Sequence, residues 1–414
     1  MEIISPAEII RKIRASKNII MPGGCANASG FFDEFLNSVD EFTNLEVLSG
    51  LSLGSYPYLS RESDTKINYS TWQAGMGLRK YFSENLEQLN LIPLRLGDLV
   101  EVVGRKRMIE PDVVVVQASL PQNDGSINLG LSVGANPHFI SQANIVVAEL
   151  NHNMPVTRGD SAIDMSLVNF AYESESDLLI YDTGVAEERD GDIVNNVLNL
   201  IPEGATVQVG IGGIPDRITE RLASISGVSI FTGIISNGLL NFIEGTNGNS
   251  KVVTGEVAGS KLLYQEIHEN DAVELARIEK THNVIALSNT EKFVSINSTI
   301  EIDLSGQANG EVINGQQVSG VGGSLDYIEA ASWSKNGLSI IALPSTTRNG
   351  KCSKIVPSLA DAVVTTPRYS VDYVVTEFGV ARLRGASLRK RAQSLINIAH
   401  PEFREELEHS FFRK

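Results

Sequence analysis

The sequence predicts an α/β protein of two similar open domains with mostly parallel sheets. Three observations carry that expectation. Runs such as Pro111 to Leu120, PDVVVVQASL, are β-branched and apolar almost without interruption. A strand of that composition suits a parallel sheet covered on both faces. A pattern of helix, strand, glycine turn and helix occurs twice, with NIIMPGG starting at Asn18 and VQVGIGG at Val207. Finally, 414 residues are more than one ordinary core serves. The expected domains are 1–189 and 190–414. Their boundary is set near Asp190, where DGDIVNNVLNLIPEG opens a new helix after the acidic, irregular stretch from Tyr172 to Ala186.

The elements follow in order. Ile at helical spacing marks Ile3 to Ala15 as a first helix, with Ser5-Pro6 as its cap. A strand and glycine turn follow through Gly24, then a helix over Phe31 to Phe42 and a strand over Leu45 to Leu51. This βαβ start implies a parallel sheet with helices on its faces. Ser52 to Asp98 is polar, aromatic and poorly periodic, and yields only a helix near Gly75 to Ser83. Further strands are expected at Pro111 to Leu120 and Ala143 to Leu150. The His152 to Asp160 stretch reads as a loop, and His152 as a hydrogen-bonding residue of that loop. In the second half, strands are expected at 205–209, 228–235, 251–258, 283–287, 295–304, 340–343, 362–365 and 372–376. Helices are expected at 215–224 and over the charge-rich tail from Ser387 to Phe411.

Composition narrows the function. The formal charge is −16 and the pI about 4.9, which argues against broad nucleic-acid binding. A local anion site stays open, because backbone N–H groups and a few cations can outweigh the global field. Cys25 and Cys352 have no metal-site or Cys-x-x-Cys spacing, so no metal is expected, and a reducing cytoplasm is. No stretch is apolar enough to span a membrane, and the N-terminus reads as an amphipathic helix, not a signal peptide.

The chain is organised around Ser319 to Lys354. Gly320-Val321-Gly322-Gly323 opens a helix with Asp326 in its first turn, where a negative charge suits the helix dipole. A buried strand follows and ends at Pro344. Successive glycines let backbone N–H groups approach a phosphate or a developing oxyanion. A lone Gly-x-Gly-Gly is by itself only a strand-to-helix turn. Its surroundings change that reading. The segments GVGGSLDYI, IIALPSTTRNGK, VDYVVTEFGVARLRG and INIAHPEFREEL make the chain from Val321 to Leu407 resemble the acetyl-CoA hydrolase/transferase family, which includes 4-hydroxybutyrate, butyrate and succinate CoA-transferases. VQVGIGGIPD and NHNMPVTRGD extend the resemblance towards the N-terminus.

That resemblance implies two α/β domains of the CoA-transferase type, with coenzyme A or an acyl-CoA as substrate and a carboxylic acid as the second partner. A homo-oligomer is also expected. In the family a glutamate attacks the thioester, giving an anhydride and then a glutamyl-CoA. Covalent catalysis divides one hard exchange into easier steps. The glutamate lies in a motif like H-[ST]-E-[MV]-x-x-[DN]-G. Here the matching run is Phe231 to Gly238; Thr232, Asn237 and Gly238 align, and Gly233 stands at the glutamate position. A glycine cannot form the anhydride. The resemblance further implies CoA contacts at Gly210, Ile211, Gly212, Gly213, Ile214, Ser319, Gly320, Gly323 and Arg348, and oxyanion donors at Gly322 and Gly323. Glu256 stands where relatives are usually apolar or aromatic and is the candidate replacement carboxylate, the alternative being a surface or ion-paired glutamate. Glu377, in VVTEFG, is read as structural. Three functions remain in view: thioester transfer or hydrolysis, acyl-CoA binding without transfer chemistry, and another acyl transfer at the same site.

Overall fold

The computed structural model describes all residues except 22, 52, 54–58, 60–66, 85, 185, 186, 361, 413 and 414. The chain divides into two compact units. The first comprises Met1–Asp182, Val253–Thr281 and Gln317–Gly322; the second comprises Thr183–Val252, His282–Gln316 and Gly323–Lys414.

The first unit holds an eight-stranded sheet. Its strands are β1 (Glu2–Ile3), β2 (Asn18–Ile20), β3 (Glu46–Ser49), β4 (Asn68–Thr71), β5 (Leu89–Leu91), β6 (Val113–Ala118), β7 (Ile145–Asn151) and β8 (Phe170–Ser174). They lie in the order β1-β8-β7-β6-β2-β3-β4-β5, and every ladder is parallel. All six residues of β6 are buried, as its run of four valines requires, with Gln117 the one polar side chain among them. The first helix spans Pro6–Ile13. Ser5 and Glu8 cap it reciprocally, the Glu8 N–H donating to Ser5 Oγ at 3.3 Å and the Ser5 N–H to Glu8 Oε2 at 3.1 Å. Its Ile9, Ile10 and Ile13 face shares a core with Phe31 and Phe35.

The second unit repeats the plan. Its strands β9 (Thr206–Val209), β10 (Ser229–Ile235), β11 (Phe293–Asn297), β12 (Leu338–Ala342), β13 (Tyr373–Thr376) and β14 (Gly379–Arg382) run in the order β14-β13-β12-β11-β9-β10. All of these pairings are parallel except the hairpin β13–β14. The glycine turn after β9 leads into the helix Gly213–Arg221, and Gly323 is the cap of the helix Ser324–Trp333.

Three expected strands come out differently. Residues 283–287 fall in the helix Val284–Ser288. The Asn283 side chain accepts the Ala286 N–H at 3.0 Å, and that cap decides for helix over a short apolar strand. The stretch 295–304 divides between β11 and Glu301–Asp303, which pairs with Ala308–Asn309 and Ile355–Val356 in a separate small sheet. Residues 362–365 form no strand, and Val363 and Val364 are exposed. Part of the unassigned region from Ser52 to Asp98 lies outside the described residues; the rest supplies β4 and β5, and the helical turn at its centre is present as Met76–Leu78 and Arg79–Ser83.

Candidate functional site

In the second unit the glycine turn sits at the C-terminal end of β9. The Gly210 N–H donates to the Ile296 carbonyl at 2.9 Å. A Cβ at Gly210 would lie 3.1 Å from Asn297 Oδ1, so the turn is packed against the end of β11. Gly212 has φ +130°, a conformation that excludes most side chains, and caps the following helix. Beneath the turn, Gln208 Oε1 accepts from Ser295 Oγ at 2.8 Å and Asn297 Nδ2 at 3.0 Å. This buried polar row fixes the strand ends that present Gly210 to Ile214.

Gly233 lies on β10. A Cβ there would meet His282 Cε1 at 2.7 Å, His282 Nε2 at 2.9 Å and Tyr327 Oη at 2.9 Å. The place where a side chain at 233 would begin is therefore filled from two other segments. Tyr327 comes from the helix that Gly323 opens, and its ring lies 5.0 Å from the His282 ring. Burial pushes the His282 imidazole down to about 3, so it is neutral at any working pH. Neither His282 nor Tyr327 is legible as a partner of Gly233 in the sequence, where 48 positions and more separate them.

Arg348 is exposed and pairs with Glu187, Nε to Oε1, at 3.0 Å; Arg189 pairs with the same carboxylate at 2.8 Å. Lys354, which sequence reasoning passed over, is held below the usual amine range by burial first and then by the Arg189 charge. Glu377 accepts from the Ser345 N–H at 2.9 Å and Ser345 Oγ at 2.7 Å, so it secures the loop after β12.

The first unit holds the other candidates. Gly320 packs so closely that a Cβ would fall 2.3 Å from the Trp72 carbonyl oxygen. The Gln317 side chain donates to the Ser319 carbonyl at 2.6 Å. Gly322 has φ +66°, and its carbonyl accepts the Leu96 N–H at 3.1 Å. Glu256 lies on the strand Val252–Val257, largely enclosed but with an exposed edge. Its Oε1 would be 2.3 Å from a Cβ on Gly134. Burial pushes its carboxyl up to about 8, against a hydrogen bond from Ser132 that works the other way.

The structure thus brings Gly210 to Ile214, Gly233, Gly323 and Arg348 into one unit, and Glu256, Ser319, Gly320 and Gly322 into the other. Cys25 and Cys352 are both free thiols. Among the described residues no group of three or more His, Cys, Asp or Glu side chains could hold a metal ion. His152 is exposed in its loop, 3.6 Å from Glu173.

The chain is similar to known proteins along its whole length. Residues 1–180 match the acetyl-CoA hydrolase/transferase N-terminal domain, and residues 259–411 match the C-terminal domain of the same family. The chain is 32 % identical to the 4-hydroxybutyrate coenzyme A transferase of Clostridium kluyveri, over 100 % of this chain and 98 % of that one. The structure of 4-hydroxybutyrate CoA-transferase from Porphyromonas gingivalis superposes with TM-score 0.83 at 30 % identity, covering 100 % of this chain and 97 % of the other. RipA from Yersinia pestis gives TM-score 0.91 at 25 % identity, with 99 % and 96 % covered.

Proposed function

Because the chain belongs to the acetyl-CoA hydrolase/transferase family, we propose that it acts on an acyl-CoA thioester, as a CoA-transferase-like enzyme whose chemistry does not run through residue 233. The observation that supports this reading is the filled space over Gly233, where a covalent nucleophile would have to start. Glu256 is the carboxylate proposed in its stead. The Gly210 to Ile214 turn, Ser319, Gly320 and Gly323 are proposed to face coenzyme A, with N–H donors at Gly322 and Gly323 for the thioester oxygen. Arg348 is proposed to contact a CoA phosphate, exchanging Glu187 for a second anion.

The same filled space favours a second reading, an acyl-CoA-binding protein of this fold that performs no transfer. One experiment separates the two. The protein is incubated with a panel of acyl-CoAs, with and without carboxylic acids, while released thiol and new thioesters are both followed. Turnover of either kind supports the enzyme. Binding of CoA without turnover supports the binder. Arg348→Ala is expected to weaken CoA binding by about 1–3 kcal/mol in low-salt calorimetry. An unchanged affinity removes Arg348 from the site. A homo-oligomer and a cytoplasmic location belong to the same proposal, and light scattering tests the first. No helix among the described residues is long and apolar enough to cross a membrane.

A further inference from the structure

We propose that Arg368, Arg384 and Arg391 form an anion site for a phosphate group, at the end of the second unit's sheet away from the glycine turn. The site shares no residue with those proposed to contact coenzyme A.

Its place follows from the strands. The Gly210 turn stands at the C-terminal end of β9. Ser339 lies at the start of β12 and Asp372 immediately before β13, and the Ser339 N–H donates to Asp372 Oδ2 at 2.9 Å. Strands β9, β11, β12 and β13 are parallel, so these two residues mark the opposite end of the sheet. Arg384 follows β14 and pairs with Asp372. Its Nη2 donates to Ser332 Oγ at 2.7 Å and to the Ser370 carbonyl at 3.2 Å. Arg391 arrives from the helix Leu388–Ile398. Its Nη1 donates to the Arg368 carbonyl at 2.6 Å and the Ser305 carbonyl at 3.1 Å, and its Nε to the Ala386 carbonyl at 3.3 Å. Gly306, at φ +92°, leaves room for that guanidinium, since a Cβ there would lie 2.9 Å from Nη1. The turn Pro367 to Ser370 is thus held by two guanidiniums, and it carries a third cation, the exposed Arg368.

The charges do not balance. Arg391 is only 8 % exposed, and its acceptors are all carbonyls. Among the described residues neither Arg391 nor Arg368 has a carboxylate within ion-pair distance, and Asp372 answers one cation of the three. Burial first, then the charges of Arg368 and Arg384, hold the Arg391 guanidinium below the usual arginine range. A covered charge without a counter-ion is costly. The helix adds to the imbalance. Its first turn contains Arg389, Lys390 and Arg391 and no acid, although the positive end of the helix dipole favours anions there. Arg389 has a role of its own over the Phe412 ring, 4.8 Å from the centroid. In a chain of formal charge −16, the uncompensated pair of Arg368 and Arg391 fits an anion taken from solution. Two surplus charges on planar guanidiniums, each able to grip paired oxygens, match a phosphate dianion better than one carboxylate. Two exposed aromatic residues adjoin the site in sequence, Tyr369 beside Arg368 and Trp333 beside Ser332. Exposed rings offer a base a surface to stack on, so a nucleotide is a source of the phosphate as well as the free ion.

The test is low-salt calorimetry with inorganic phosphate and, separately, ADP, each against an equal ionic strength of chloride. Phosphate is expected to bind, and Arg368→Ala to weaken it about tenfold through loss of one charge-assisted contact. Arg391→Met should abolish binding; should that variant melt early, Arg368→Ala, which alters an exposed side chain, decides alone. Arg348→Ala is expected to leave the affinity unchanged, which separates this site from the proposed coenzyme A contact. ADP binding tighter than phosphate and weakened by Arg368→Ala supports the site with a nucleotide as ligand. Phosphate binding without ADP binding supports it with the free ion as ligand. No binding of either, or binding that Arg368→Ala leaves intact, overturns the proposal.

Discussion

Gly233 shows how one missing side chain reorganises its neighbours. Restoring a glutamate there by Gly233→Glu has no space to enter, since the first new atom meets the His282 ring and the Tyr327 hydroxyl. The single variant is expected to lose about 1–3 kcal/mol of stability by overpacking, read from denaturant unfolding, and to gain no transferase activity. Combined with His282→Gly the stability loss is expected to shrink, with only the Tyr327 hydroxyl left in the way; equal losses in both variants would show that the ring is not the obstacle. In the first unit, Glu149 accepts from Gly30 N–H at 3.0 Å, Gln117 Nε2 at 3.0 Å, Ser176 Oγ at 2.9 Å and the Tyr172 hydroxyl. Its two oxygens tie the start of the helix Ser29–Asn37 to β6, β7 and β8. Glu149→Ala strands four donors in a buried place and should cost about 3 kcal/mol or more by the same measurement.

At the scale of elements, helix starts are where side chains decide structure. The helix Gly238–Gly245 begins on a carboxylate from another helix: Asp216 accepts the Gly238 N–H at 2.6 Å and Ser236 Oγ at 2.5 Å. Asp216→Ala should cost about 1–2 kcal/mol, more than an exposed cap, because the group is buried. A melting temperature unchanged within error would mean that water replaces the cap. The Asn283 cap belongs to the same class. Its signal is in the sequence, but it competes with an apolar run that reads equally well as a strand.

For the molecule as a whole, buried His282 and largely enclosed Glu256 give its pH profile opposite slopes. His282 is depressed from 6.5 to about 3, so the unfolded chain binds the extra proton between those values and stability rises with pH across that window. Glu256 is raised from 4.5 to about 8, so the folded chain binds the extra proton and stability falls as pH rises from 4.5 to 8. Together these contributions climb from pH 3 to 4.5, cancel to 6.5 and fall to 8. Melting temperatures across that range should show the fall vanish in Glu256→Gln and the acid-side climb vanish in His282→Gln. Limited proteolysis is expected to cut in the irregular acidic stretch between Tyr172 and Asp190, where the sequence places the domain boundary.

The sequence by itself determined the class of fold. Apolar runs, helix caps and glycine turns are local, and period and composition carry them; so β6, the Gly210 turn, the Gly323 helix and the family they resemble were all readable. It also marked Gly233 and Glu256 as departures. What filled the space at Gly233 was decided only by the tertiary structure, because His282 and Tyr327 arrive from separate segments. The same holds for the protonation of Glu256, which depends on burial against Gly134 and Ser132, and for the joining of Val253–Thr281 and Gln317–Gly322 to the first unit. Burial and proximity are properties of packed neighbours, and residues distant in the chain leave no periodic trace of whom they will meet.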